Sequence, residues 1–195
     1  MEVEDMIRIY DGFIHPETIS RLIKYAIKDA ANMKDATIVG NDPTKGTVDK
    51  EIRRVKEISL AKMGKSLTNV HYFNFLHHQV FKPIYFRYMQ DIKTEVAVKK
   101  VEMNLLRYTE GGHYKFHVDH GTTTPRSLSF ILLLNNDYEG GELEFKEMNE
   151  ENNDEIVKIE NKSGRVIIWP SNFMYHHRVT PLTKGTRYSV VCWYS

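Results

Sequence analysis

The stretch from Val101 to Asp119, V-E-M-N-L-L-R-Y-T-E-G-G-H-Y-K-F-H-V-D, is where the chain changes character. Its hydrophobic pattern takes on a period of two, that of a strand with one face buried. The same period returns in S-L-S-F-I-L-L-L-N, G-E-L-E-F, E-I-V-K-I, R-V-I-I-W, F-M-Y-H-H-R-V and R-Y-S-V-V-C-W. That makes eight strand candidates in roughly 100 residues. Eight short antiparallel strands punctuated by Gly, Pro and Asn predict a double-stranded β-helix, or jelly roll.

Upstream the pattern is different. Residues 7 to 14, I-R-I-Y-D-G-F-I, read as a short strand, and Pro16 suits the first position of a helix because its missing N–H is not needed there. That helix is expected to run to about Met33, with Ile19, Leu22, Ile23, Ala26, Ile27 and Ala30 as the stripe it lays on a sheet. Residues 34 to 52 are rich in Gly, Asp, Thr and Lys with little periodicity, which predicts a mobile loop placed where a lid would sit. Thr68 is the expected N-cap of a second helix, whose face of Val70, Phe73, His77, Val80, Phe81 and Ile84 is interrupted by Pro83. His71, His77 and His78 read as packing or surface residues of that helix.

The predicted fold class is therefore α+β with a mainly β core. One domain spans residues 1–195, with 1–97 as helical support and lid and 98–195 as the jelly-roll core. A length of 195 residues suits one well-buried core, and 41% hydrophobic with 27% charged residues is ordinary for a globular chain. Lys+Arg 27 against Asp+Glu 26 leaves none of the basic excess of a dedicated nucleic-acid binder. No apolar run approaches the roughly 20 residues needed to span a bilayer. The single cysteine, Cys192, cannot form an internal disulfide, and the first residues, M-E-V-E-D-M-I-R-I-Y, lack the pattern of a signal peptide. A cytoplasmic setting is expected, with Cys192 as a small buried hydrophobe rather than a nucleophile.

The chemistry is carried by three side chains. His117 and Asp119 form an H-x-D pair, and His177 lies sixty positions beyond His117. Two histidines and one carboxylate are the facial ligand set of a non-haem Fe(II) site. With 9 histidines in the chain, an H-x-D pair arises by chance in about half of such sequences, so the pair alone says little. Strand geometry adds weight, because alternation points His117 and Asp119 to one side. Alternation also allows only one of His176 and His177 to face inward. His177 is assigned here, although the pattern alone leaves the inward face open. Arg187 and Ser189 share a face, and a guanidinium fork beside a hydroxyl is a matched receptor for a carboxylate, to which Tyr108 can add a second hydroxyl.

At this point the chain resembles the 2-oxoglutarate and Fe(II)-dependent dioxygenases of the prolyl 4-hydroxylase type. The resemblance runs through Tyr108, Gly111, Tyr114, His117 and Asp119, then S-L-S-F-I-L-L-L-N, then Gly140 to Phe145, and closes with G-R-V-I-I-W-P-S-N-F-M-Y-H-H-R-V-T-P-L-T-K-G-T-R-Y-S. It covers about half the chain, and the ordered conjunction is far more specific than any single motif. The resemblance implies that His117, Asp119 and His177 hold Fe(II). It implies that Arg187, with Tyr108 and Ser189, binds the distal carboxylate of 2-oxoglutarate, and that Arg126, Trp193 and Tyr114 lie on the substrate side. The implied reaction consumes O2, converts 2-oxoglutarate to succinate and CO2 and hydroxylates an unactivated C–H bond, with ascorbate as an accessory reductant. The implied partner is a peptide or protein with a prolyl target. Two positions depart from the family: Arg187 stands where many members carry lysine, and Ser195 stands where peptide-prolyl members often carry histidine. The same iron chemistry on a nucleobase, free amino acid or other small molecule is the alternative, followed by a non-enzymatic jelly-roll binding module.

Overall fold

A computed structural model describes residues 6–39, 46–60, 66–146 and 156–195. The chain opens with strand β1 (Arg8–Tyr10), turns through Gly12 at φ +84°, and enters helix α1 (Pro16–Lys28). The His15 ring caps that helix by accepting from the Glu17 backbone N–H at 3.2 Å, and Pro16 occupies the first turn. The helix ends at Lys28, short of the expected Met33; a 3-10 turn over Ala30–Asn32 takes the remainder. Ile19, Leu22 and Ala26 are buried as the stripe predicts, whereas Ile27 is 58% exposed, because the apolar face is narrower than the sequence suggests.

The segment expected to be a loop is partly regular. It holds β2 (Lys34–Asp35), β3 (Ile38–Val39) and β4 (Gly46–Thr47), the last two paired as a hairpin; residues 40–45 lie outside the described residues. Next come β5 (Arg53–Arg54) and β6 (Lys56–Ser59). The first half is thus not helical support alone, for β1, β2, β5 and β6 all extend the sheets of the second half. Strands of two residues, as β2 to β5 are, are too short for a period of two to register in the sequence.

Helix α2 (Leu67–Leu76) is capped by Ser66 and not by Thr68, the Ser66 hydroxyl accepting from the Asn69 N–H at 3.4 Å. A π-helical turn over His77–Phe81 joins it to α3 (Lys82–Ile92). That wide turn stands immediately before Pro83, where a proline ring would otherwise strike the preceding turn. His77 packs as expected, stacked on Phe73 and accepting or donating through Nδ1 to the Tyr194 hydroxyl at 3.2 Å.

All eight strands expected after Val96 are present: β7 (Val101–Tyr108), β8 (His113–His117), β9 (Leu128–Leu133), β11 (Leu143–Lys146), β12 (Ile156–Ile159), β13 (Val166–Pro170), β14 (His176–Val179) and β16 (Arg187–Tyr194). Two short strands, β10 (Glu139–Gly140) and β15 (Leu182–Lys184), pair with each other. The seven-stranded sheet runs β1-β13-β9-β16-β7-β6-β2 and the five-stranded sheet β12-β11-β14-β8-β5. Every pairing in the two is antiparallel. This is the double-stranded β-helix.

Strands β9 and β16 are buried along their full length because the seven-stranded sheet is covered on both faces. Phe130, Leu132, Val190 and Cys192 face the layer of α1 to α3, where Leu22, Ile84 and Tyr88 meet them. Ile131, Leu133, Val191 and Trp193 face the five-stranded sheet, with Phe145, Tyr175 and Val179 opposite. No described helix is long and apolar enough to cross a membrane.

Replacing Leu22, which is fully buried under α1, with alanine should lower stability by about 2–5 kcal/mol, whereas Ile27→Ala should change it by less than about 0.5 kcal/mol. Urea unfolding of the two variants reads both values.

Candidate metal and carboxylate site

His117 is the last residue of β8, and β14 pairs with it so that His177 lies directly across the ladder. The two imidazoles stand 4.2 Å apart, centre to centre. Asp119 follows two residues beyond His117 and closes the triangle, 3.7 Å from His117 Nε2 and 3.5 Å from His177 Nε2. One donor atom from each of the three lies within 4.8 Å of the others. His177, the member of the histidine pair that turns inward, is 5% exposed.

Each imidazole is oriented by its own strand. His117 Nδ1 lies 2.9 Å from the Lys115 carbonyl and His177 Nδ1 3.0 Å from the Tyr175 carbonyl. A carbonyl can only accept, so both Nδ1 atoms carry the proton and both Nε2 lone pairs point into the triangle. Burial and the neighbouring His177 push the His117 pKa down to about 3, which keeps the ring neutral and able to donate to a metal. Burial works to raise the Asp119 carboxyl, but the neighbouring imidazoles, the Arg126 charge and the Ser129 hydroxyl outweigh it and hold the group at about 2. A carboxylate and two imidazoles whose Nε2 atoms face one another fit a divalent cation of the first transition row.

The Asp119 carboxylate has a prepared support. Ser129, fully buried on β9, donates to Oδ2 at 2.7 Å and is itself 2.7 Å from the Ser171 hydroxyl. Tyr114 stacks on the His117 ring at 3.5 Å and 20°, which strict alternation along β8 would not allow. The ladder pairs His177 with His117 but Val179 with Tyr114, so β8 contains one extra residue there, and the bulge brings both rings to one side.

Arg187, the first residue of β16, is fully buried opposite Tyr108 of β7. Its Nη1 donates to the Ser189 hydroxyl at 3.0 Å, while Nε and Nη2 have no partner. These two nitrogens form one side edge of the guanidinium, the edge that binds both oxygens of a carboxylate. A buried cation with that edge empty is costly, so the geometry calls for an anionic ligand. The guanidinium carbon lies 5.1 Å from the centre of the Tyr108 ring, whose hydroxyl pKa burial pushes up.

A cavity of about 750 Å³ opens on the triangle, with His117, Asp119, His177 and Tyr108, the ladder partner of Arg187, among its walls. Arg126 and Trp193 line it on another side, the guanidinium 3.8 Å over the indole, 3.1 Å from Glu102 Oε2 and 3.8 Å from Asp119 Oδ1. Thr37, Ile38 and Gly46 of the 34–52 segment reach the same cavity. Sequence reasoning missed Ser129, Glu102 and Arg53, whose guanidinium lies 4.8 Å over the Tyr114 ring on the cavity wall. Ser129 carried one signal, a hydroxyl inside an otherwise apolar strand; the others depend on which strands become neighbours.

Two histidines and an aspartate converging inside a jelly roll are the facial ligand set of a non-haem Fe(II) site. The 2OG-Fe(II) oxygenase superfamily model matches residues 103–195. Among curated proteins the chain is 30% identical over 109 residues to a PKHD-type hydroxylase of Idiomarina loihiensis, covering 54% of this chain and 46% of that one. It is 36% identical over 108 residues to a PKHD-type hydroxylase of Gloeothece citriformis, covering 52% and 46%. The chain therefore spans less than half the length of these relatives. In fold it is similar to a Pseudomonas putida prolyl-4-hydroxylase, with a TM-score of 0.71 at 17% identity over 98% of this chain and 96% of that one. It is likewise similar to a Trichoplax adhaerens prolyl hydroxylase in complex with a hypoxia inducible factor oxygen degradation domain peptide fragment (TM-score 0.75, 17% identity, 97% and 83% covered). Residues 103–195 thus resemble the 2OG-Fe(II) oxygenase superfamily, and the chain shares the fold of the prolyl hydroxylases.

Ser129→Ala should weaken divalent-metal binding roughly 10- to 100-fold by releasing Asp119 from its support. Titration with Mn(II) followed by electron paramagnetic resonance measures it, and an unchanged affinity would show that the carboxylate is held without Ser129.

Proposed function

We propose that this chain hydroxylates a C–H bond of a peptide or protein side chain, with proline as the first target to test, using Fe(II), O2 and 2-oxoglutarate. The observation that carries the reading is an oriented His-Asp-His triangle on the wall of a cavity that also includes Tyr108, directly across the ladder from a buried arginine with one empty edge. His117, Asp119 and His177 would hold the metal, and Arg187 the distal carboxylate of the cosubstrate. When bound, metal and cosubstrate supply the oxidising chemistry, with 2-oxoglutarate ending as succinate and CO2.

The chain's own residues do the rest. The backbone carbonyls of Lys115 and Tyr175 fix the two imidazoles, Ser129 fixes the carboxylate, and Tyr114 walls off one side of His117. Arg187 and Ser189 orient the cosubstrate. The apolar surfaces of Leu143, Ile131, Val179 and Val191 keep the surrounding cavity from flooding with water. Arg126 and Trp193 form a stacked pair on the wall beside Asp119, where a substrate side chain would lie. A peptide substrate is supported by the likeness to prolyl hydroxylase folds and to PKHD-type hydroxylases. Thr37, Ile38 and Gly46 on the wall support the 34–52 segment as its cover. We read residues 1–195 as one catalytic unit.

Adding Fe(II) and then 2-oxoglutarate without oxygen should produce a visible metal-to-ligand charge-transfer band. His117→Ala and Asp119→Ala should remove it and abolish turnover in folded protein. Arg187→Ala should retain metal binding but raise the 2-oxoglutarate requirement by roughly 100-fold or more, the loss of a charged double hydrogen bond. A well-folded wild type that shows no band would overturn the reading. With oxygen and ascorbate present, proline-containing peptides and free amino acids can then be compared by the succinate each releases.

A further inference from the structure

The cosubstrate receptor has a member that neither the sequence motifs nor the family match assigns. Tyr138 follows β9, and its hydroxyl is buried without a hydrogen-bond partner, as are Nε and Nη2 of Arg187. The two side chains are neighbours: the Arg187 charge acts on the Tyr138 phenol, opposing the upward push of burial. Three buried polar atoms beside one another, all unpartnered, are a costly arrangement that a single bound carboxylate would relieve.

The surroundings hold Tyr138 in this place. Asn135 pins the turn to the start of β16, its amide donating to the Thr186 carbonyl at 2.7 Å and accepting from the Tyr188 N–H at 2.8 Å. Those two contacts flank Arg187 in sequence. Gly141, at φ +66°, lets the backbone pass against both side chains: a Cβ there would stand 3.1 Å from Arg187 Cδ and 3.5 Å from the Tyr138 ring. Gly185, at φ +86°, leaves the same room on the other side, where a Cβ would meet Tyr138 Cβ at 3.3 Å.

We propose that the Tyr138 hydroxyl is a third donor to the ligand carboxylate held by Arg187, so that the site selects 2-oxo acids bearing a second, distal carboxylate. The inference rests on the cosubstrate reading above and adds a residue to it. The Tyr138 side chain touches the ligand and not the metal, so its hydroxyl matters only for acids that reach it.

The test is binding, without turnover. Calorimetric titration of the Mn(II)-loaded full chain with 2-oxoglutarate, and separately with pyruvate, which lacks the distal carboxylate, is compared among wild type, Tyr138→Phe and Arg187→Ala. Tyr138→Phe should bind 2-oxoglutarate roughly 10- to 100-fold more weakly, bind pyruvate as wild type does, and keep its fold in the absence of ligand. Unchanged 2-oxoglutarate binding in Tyr138→Phe, or an equal loss for both acids, would overturn the inference. If Arg187→Ala still weakens 2-oxoglutarate in that case, the cosubstrate reading stands without Tyr138. A wild type that binds no 2-oxoglutarate overturns both.

Discussion

His117 and His177 face each other because β8 and β14 pair with those two residues opposite one another in the ladder. A slip of one residue would turn one ring out of the barrel and leave a single imidazole with Asp119. The register is secured from both sides of β14, which also pairs with β11 so that Phe145 lies across from His177 and Leu143 from Val179. Phe145 and Trp169 then press on the His177 ring at 5.7 and 4.9 Å. Packing of the five-stranded sheet and aim of the metal-facing nitrogen are thus one constraint.

The site carries a heavy load of buried polarity. Asp119, Ser129, Ser171, His177, Arg187 and Ser189 are all removed from water, and only part of their hydrogen-bonding capacity is met by one another. The carboxylate side is satisfied by the Ser171–Ser129–Asp119 chain, while the Arg187 side is left open. Burying a charge is tolerated where a partner meets it, so the two ends are prepared for different guests: a cation at one and an anion at the other. The apolar length of β9 and β16, packed on both faces, offsets that cost. It also explains why Ser129 and Ser189 sit singly within otherwise apolar strands.

Much of the architecture was legible. The period of two from Val101 onward identified eight of the ten strands of the second half, since strands of four to eight residues show their alternation clearly and the shorter β10 and β15 do not. The stripe of α1 named Leu22 and Ala26 correctly but also Ile27, because a stripe shows which residues share a face and not how much of that face the sheet covers. The two- to four-residue strands β2 to β6 passed as loop and helix support, and the Thr68 cap was two residues late. At the site, His117, Asp119, His177 and Arg187 were visible as a pattern, while Ser129, Glu102 and Tyr138 were not.

The sequence by itself determined the strand period, the set of metal-binding residue types and the pairing of Arg187 with Ser189, because these follow from spacing along one strand. It left the choice between His176 and His177 open, and alternation alone does not bring Tyr114 to the side of His117. Only the tertiary structure decided those matters. The inward face is set by which strand lies alongside, and the extra residue in β8 reverses alternation between Tyr114 and His117. The meeting of Tyr138 with Arg187 likewise depends on a turn pinned by Asn135 to a strand some fifty residues away. Short-range periodicity is written in the order of residues; register, bulges and long-range approach arise from strands competing for partners across the whole fold.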